Sequence, residues 1–323
     1  MDIIKWGIIG CGDVTEVKSG PAFNKVPNSQ LVAVMRRDSA KAADYARRHQ
    51  VEKWFSDAEQ MMDEAGINAV YIATPPAAHL DYALAALKKG LHVYVEKPVT
   101  LNAAEAEQMA AAANAGKAKL AVAHYRRHVP LFLKVKELIN SQSIGDIRTV
   151  QIKLWQPRRP SLVADIENNW RLDPEVSGGG YFHDLAPHQL DLMLYYFGKP
   201  VKYQGFSLNQ GNFSKADDNV NGQILFENKI PVNGSWCFDT AESEETDICE
   251  IVGTGGKISF AFFGNYIKLN DETFNFVHPP HIEQPMIEQV VKYFNDERSN
   301  PCSADEAVIL MKIMDSFVQD NRD

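Results

Sequence analysis

The chain has 323 residues, 45% of them hydrophobic and 23% charged, with a formal net charge of -9. That balance carries no basic nucleic-acid footprint, and no apolar run approaches the ~18–20 residues needed to span a bilayer. The length points to two domains, because single cores rarely grow past about 250–300 residues.

The first ~120 residues alternate short apolar runs with helical patterns. The runs are Ile3–Ile9, Leu31–Met35, Ala69–Ala73, His92–Val95 and Lys119–Ala123. They are rich in Val, Ile and Ala and mostly lack in/out alternation, as strands buried on both faces do. Helical segments lie between them at Ser39–His49, Ala58–Ala65, Ala77–Lys89 and Ala103–Ala115. Alternation of this kind predicts a doubly wound parallel sheet, the Rossmann class of α/β architecture. A second domain, 124–323, then opens with a helix at Pro130–Ser141 and a strand at Thr149–Gln156. From Val201 to Val277 nearly everything reads as strand and turn, which predicts one large, mostly antiparallel open sheet. Helices at Met286–Asn295 and Ala304–Gln319 close an α+β domain.

The first strand runs into Gly10-Cys11-Gly12-Asp13-Val14-Thr15. This fits the G-x-G-x-x-G/A dinucleotide fingerprint at its first two glycines, with Thr15 in the third position. Gly10 permits the tight turn, and Gly12 lets the backbone approach a pyrophosphate at the helix N-terminus, near Asp13 and Val14. Ser19-Gly20-Pro21 should break that helix, with Pro21 opening a second short one. At the end of the second strand an Asp or Glu usually holds the ribose of NAD. Met35-Arg36-Arg37 stands there instead. Guanidinium groups pair with a 2′-phosphate, so NADP is expected ahead of NAD. The other reading makes Arg36 and Arg37 surface residues and gives the ribose to Asp38.

Four cysteines, Cys11, Cys237, Cys249 and Cys302, form no C-x-x-C pair, so no zinc knuckle or disulfide framework is suggested. The arginine pairs Arg36-Arg37, Arg47-Arg48, Arg126-Arg127 and Arg158-Arg159 read mainly as solvated faces. The N-terminus lacks the basic region and cleavage site of a signal peptide. Together with free thiols this gives a cytoplasmic expectation.

After Gly178-Gly179-Gly180 comes YFHDLAPHQLD, Tyr181 to Asp191. Pro187 is tolerated in a first helical turn, so a helix is expected to start near His183–Asp184. Asp184, His188, Asp191 and Tyr195 then share one stripe of a helix that is otherwise apolar. By themselves these residues fit an N-cap at Asp184 and a satisfied buried polar pair at His188 and Asp191. A metal site is not expected, since His183 points away from the stripe.

GIIGCG at the start, Ile72-Ala73-Thr74-Pro75-Pro76-Ala77-Ala78-His79, Val95-Glu96-Lys97-Pro98 and GGG-x-x-x-D-x-x-x-H occur in this order. Together they resemble the glucose–fructose oxidoreductase / inositol dehydrogenase / rhizopine catabolism family over nearly the whole chain. The resemblance implies an NAD(P)-binding N-terminal domain and a second domain whose open sheet supports a homo-oligomer, dimer or tetramer. It implies that Thr74, Pro75 and His79 line the cofactor, that Glu96 sits near the nicotinamide ribose, and that Lys97 points into a cleft. A cis Lys97-Pro98 bond is expected, because cis peptides are essentially a proline feature. Asn169-Trp170-Arg171-Leu172 resembles a segment at the nicotinamide end. Trp170 would wall the pocket there and Arg171 would pair with an oxygen, unless both are packing residues. The family often has an Asn near His124-Tyr125-Arg126-Arg127, which this chain lacks.

Oxidising a secondary alcohol needs a hydride acceptor and a general base with a pKa near the working pH, which suits His188. Asp184 and Lys97 would fix the hydroxyl, and the Lys97 charge would favour an alkoxide. The expected function is an NAD(P)-dependent dehydrogenase or reductase of a sugar, cyclic polyol or derivative. Two alternatives share the fold: a non-enzymatic dinucleotide sensor, and a glycoside hydrolase that uses bound NAD transiently. Pocket walls are expected from Gln156–Asn168 and Phe238–Glu245.

Overall fold

A computed structural model describes residues 2–164 and 169–318. The chain divides into two compact units, residues 1–129 with 279–308, and residues 130–278 with 309–323.

In the first unit β1 (Ile4–Ile9) leads into the short α1 (Asp13–Val17). A 3-10 turn at Gly20–Asn24 follows, so the helix does break at Ser19-Gly20-Pro21. Then come β2 (Ser29–Met35), α2 (Ser39–His49), β3 (Lys53–Phe55), α3 (Ala58–Glu64) and β4 (Ala69–Ile72). The unit's alternation ends with α4 (His79–Lys88), β5 (His92–Val95), α5 (Ala103–Ala115) and β6 (Leu120–Val122). All six strands are parallel, in the order β3-β2-β1-β4-β5-β6. The sequence gives no hint of β3, whose three residues include an exposed Trp54.

The second unit opens with α6 (Pro130–Asn140) and β7 (Ile147–Trp155). A 3-10 turn at Trp170–Leu172 and α7 (Pro174–Ser177) precede α8 (Gly180–Phe197). Seven strands follow: β8 (Pro200–Leu208), β9 (Asn219–Phe226), β10 (Pro231–Cys237), β11 (Thr246–Gly253), β12 (Gly256–Phe260), β13 (Tyr266–Leu269) and β14 (Glu272–Asn275). With β7 they form an eight-stranded sheet, β14-β13-β12-β11-β7-β10-β9-β8. Only the β7–β10 pairing is parallel. Alternation along β9 and β10 buries Val220, Ile224, Phe226, Val232 and Trp236 on one face. The other face keeps Phe206, Leu208 and Leu225 exposed among Gln204, Gln223 and Asn221.

Helix α8 corrects the sequence expectation. It begins at Gly180, three residues earlier than predicted, and holds Pro187 in its interior. Proline there removes one backbone hydrogen bond and costs roughly 3 kcal/mol. Nearly the whole helix is buried, Trp236 packs edge-on against Phe182, and its indole N–H donates to Gln189 Oε1 at 2.5 Å. That burial outweighs the proline. Gly179 and Gly180 have φ of 158° and 72°, and a Cβ on Gly180 would sit 2.5 Å from the Cβ of Ala216. Glycine is therefore required where the chain turns into α8.

Two helices end the described chain, α9 (Gln284–Phe294) and α10 (Ala304–Val318). Residues 279–308 belong to the first unit, not to the second as a 124–323 domain would have it. The reason is aromatic packing: Phe294 lies 5.6 Å from Trp6, which also meets Phe23 at 4.8 Å. Tyr71 and Tyr94 stack beside them at 5.3 Å. No helix among the described residues is long and apolar enough to cross a membrane.

Candidate active site

The dinucleotide loop forms where strand order reverses, between β1 and β4. Ligands of open α/β sheets bind at the carboxyl ends of strands at such a point. The amide N–H groups of Gly10 and Cys11 donate to Met35 O, at 2.9 and 3.1 Å, which ties the loop to the end of β2. Gly10 has φ +92°, and a Cβ on it would lie 2.8 Å from Thr74 Cγ2. Beside Gly12 the space is open, since a Cβ there meets nothing closer than Gly10 O at 3.9 Å. No side chain caps α1. Thr74 Oγ1 is buried and has no hydrogen-bond partner among the described residues. Such an orphaned polar atom beside an open glycine and an uncapped helix start fits a bound dinucleotide.

Thr15, in the third fingerprint position, is fully buried and its hydroxyl donates to Gly12 O at 2.7 Å. Its carbonyl accepts from the Tyr45 hydroxyl at 2.8 Å. The residue that replaces glycine thus braces the loop with its own hydroxyl.

Asp13 is exposed and Val14 half-buried at the start of α1. Arg36 is half-buried, and its Nη1 donates to Cys11 O at 3.2 Å. Arg37 is exposed. Asp38, the alternative ribose ligand, instead caps α2 by accepting from Lys41 N at 3.1 Å.

His79 is fully buried, with Nε2 2.8 Å from Thr74 O and Nδ1 3.0 Å from Pro98 O. Burial pushes its imidazole down to about 4. His79 therefore ties the loop after β4 to the loop after β5. Pro75, at the start of this loop, is half-buried.

At the end of β5 the Lys97-Pro98 bond is cis, as expected. Lys97 is half-buried. Glu96 is 5% exposed, and the Tyr71 hydroxyl donates to its Oε1 at 2.6 Å. The Lys97 N–H donates to its Oε2 at 3.2 Å. Burial, the largest influence, raises the carboxyl. The resemblance places Glu96 near a ribose, but both of its oxygens are held within the protein.

The second group of predicted residues lies in the other unit. Arg171 Nε donates to Asp184 Oδ2 at 2.8 Å, with the two side chains 17% and 13% exposed. The guanidinium also lies 4.5 Å from the Trp170 ring centroid. Asn169 caps this turn through Arg171 N and donates from Nδ2 to the Tyr181 hydroxyl at 3.0 Å. Asp184 is not an N-cap, because α8 starts four residues before it. His188 is 5% exposed and meets Phe263 edge-on at 5.8 Å. His183 is buried, packed against Gly179, and burial pushes it down to about 4. Asp191 is 2% exposed.

Of the expected pocket wall Gln156–Asn168, residues 165–168 lie outside the described residues, as does Gln319 of the expected last helix. In Phe238–Glu245, Asp239 pairs with the exposed Arg158 at 2.5 Å. Arg126 and Arg127 instead depart from the solvated-face expectation: they are 5% and 2% exposed, and Arg127 pairs with Glu306 at 2.7 Å. The sequence reading missed Tyr71 and Glu283. A glutamate directly before the Gln284-Pro285 helix start was the one available signal for Glu283.

The geometry defines a dinucleotide-binding oxidoreductase scaffold. Residues 4–124 match the family model for an oxidoreductase family with an NAD-binding Rossmann fold, and residues 132–259 match a GFO/IDH/MocA C-terminal domain. Oxidoreductase P35 of Formosa agariphila is 48% identical over 318 residues, covering 97% of this chain and 98% of that protein. The chain belongs to the Gfo/Idh/MocA oxidoreductase family. The scyllo-inositol 2-dehydrogenase (NADP(+)) IolW of Bacillus subtilis is 32% identical over 206 residues, 62% of this chain and 53% of that protein. A levoglucosan dehydrogenase solved with NADH superposes with a TM-score of 0.86 at 21% identity, covering 97% of this chain and 95% of that one. The last similarity speaks for the fold.

Proposed function

We propose that this oxidoreductase uses NADP in preference to NAD and acts on a secondary alcohol or carbonyl of a sugar, cyclic polyol or derivative. The observation that carries the cofactor preference is Arg36. Its guanidinium is held against Cys11 O at the end of β2, while Asp38 is engaged as a helix cap. A cation placed there favours a 2′-phosphate. The substrate class draws on IolW, an inositol dehydrogenase by name.

On this reading residues 1–123 bind the cofactor and supply Lys97, and the other substrate groups come from later in the chain. Gly10, Gly12, Asp13, Val14, Arg36, Arg37, Thr74 and Pro75 would hold the dinucleotide. Hydride transfer is the chemistry a bound nicotinamide supplies. Lys97 would donate a hydrogen bond to the reacting hydroxyl and favour its alkoxide. His188 would take the hydroxyl proton in oxidation and return it in reduction. Asp184 would orient the hydroxyl, itself fixed by Arg171 stacked on Trp170. The open sheet face around Phe206, Leu208 and Leu225 would cover itself against a second copy, which light scattering in solution would reveal.

The test is a screen of sugars and inositols with NAD⁺ and with NADP⁺, followed at the reduced-nicotinamide absorbance band. Turnover with NADP⁺ on a polyol supports the reading. Product formation without net cofactor reduction would favour the hydrolase, and cofactor binding without any turnover the sensor.

A further inference from the structure

Glu283 is a fully buried acid that the reaction described above does not use. It sits immediately before α9, and its backbone N–H donates to Lys18 O at 3.2 Å. Its Oε2 lies 3.4 Å from the Tyr71 hydroxyl, which itself lies 2.6 Å from Glu96 Oε1. One phenol thus stands between two buried carboxyl groups.

Tyr71 has a single hydroxyl hydrogen, and the shorter contact assigns it to Glu96. Toward Glu283 the phenol then presents a lone pair, which an ionised carboxylate cannot use but a protonated acid can. Two ionised carboxylates flanking one buried phenol would repel each other with little water to screen them. Glu283 Oε1 and the Tyr94 hydroxyl are also buried and lack hydrogen-bond partners among the described residues. An ionised Glu283 would leave that oxygen uncompensated. The charged and titratable groups around the pair are Lys18, Lys97, Tyr71, Tyr94 and Tyr125. Burial and then the Glu96 charge both raise the Glu283 carboxyl, well above the usual carboxylate range.

We propose that Tyr71 joins Glu96 and Glu283 into a carboxyl pair that holds one proton at neutral pH, with Glu283 as its neutral member. The pair then presents one negative charge beside Lys97, rather than two or none. Glu283 is a positioning residue: it acts on Lys97 through Tyr71 and Glu96. This role rests on Lys97 being the group that meets the substrate hydroxyl.

The pair itself is tested without any activity. Infrared difference spectra of the full chain, with and without ¹³C-labelled glutamate, should show a protonated glutamic acid carbonyl band at pH 7. Glu283→Gln should remove it, and Tyr71→Phe should shift it. No such band in the wild type, or a band that survives Glu283→Gln unchanged, overturns the pair. The positioning role is tested by kcat/KM against pH. Glu283→Ala should lose about tenfold or more, and Glu283→Gln, a mimic of the neutral acid, should recover to within about threefold of wild type. The Gln variant should also lack the alkaline step at which the pair gives up its proton. A Gln variant as impaired as Ala, or one that keeps that step, overturns the role. Full activity in Lys97→Ala with the infrared band intact would remove the Lys97 reading and leave the pair standing.

Discussion

Arg171 Nε lies 2.8 Å from Asp184 Oδ2, joining the turn before α7 to the second turn of α8. Both side chains are largely removed from water, at 17% and 13% exposure. Removing Arg171 leaves a shielded carboxylate with one fewer donor, and a charge-assisted hydrogen bond of this kind contributes about 1.5–3 kcal/mol. Arg171→Ala is therefore expected to lower unfolding stability by that order in a urea titration. Arg171→Lys should recover only part of it, because the planar guanidinium also stacks on Trp170. An unchanged midpoint in Arg171→Ala would show the pair to be dispensable.

If His188 is the proton acceptor, His188→Ala lowers kcat by roughly 10²–10⁴. Cofactor binding, read by quenching of intrinsic fluorescence, should survive because His188 lies outside the Rossmann unit. Equal turnover in the variant would remove the role.

Arg36 offers a selectivity test. Arg36→Ala should weaken NADP⁺ relative to NAD⁺ by about tenfold, the equivalent of ~1.4 kcal/mol. The ratio of the two kcat/KM values checks this. An equal loss for both cofactors would instead mean that Arg36 serves the loop through Cys11 O.

Glycine substitutions should separate backbone strain from close approach. Gly66 and Gly180 have φ of +71° and +72°, but a Cβ on Gly66 meets nothing within 4 Å. Gly66→Ala should cost about 1–2 kcal/mol from the left-handed backbone alone. Gly180→Ala adds the contact with Ala216, worth roughly another 1–3 kcal/mol. Thermal denaturation of the two variants should rank them in that order.

Buried histidines predict acid sensitivity. His79 and His183 are each pushed down from 6.5 to about 4 by burial. Between those values the unfolded chain binds more protons than the folded one, so stability is intact above pH ~6.5 and falls as pH drops toward ~4. The ceiling is on the order of 3 kcal/mol per histidine. Urea midpoints from pH 7 to 4 should fall less steeply in His183→Gln than in wild type.

Much of the first unit was legible in the sequence because its strands are buried on both faces. Apolar runs such as His92–Val95 have one interpretation when turn residues bound them, and the G-x-G loop has to follow the first of them. The seven strands after Val201 were legible for the opposite reason, since one wet face imposes alternation on β9 and β10. Helix α8 was misread at its start. A rule about proline is local, whereas the packing of Phe182 and Gln189 on Trp236 that overrides it is not.

By itself the sequence determined the fold class, the dinucleotide loop and the chemical types available at the strand ends, because these depend on local pattern and spacing. Only the tertiary structure decided where each polar group finds its partners. It made His79 a clamp between two loops. It gave Asp184 to Arg171. It returned residues 279–308 to the Rossmann unit and so brought Glu283 within reach of Tyr71 and Glu96. Partners 212 residues apart in the chain, as Tyr71 and Glu283 are, are brought together only by the tertiary fold. No periodicity or motif can encode that.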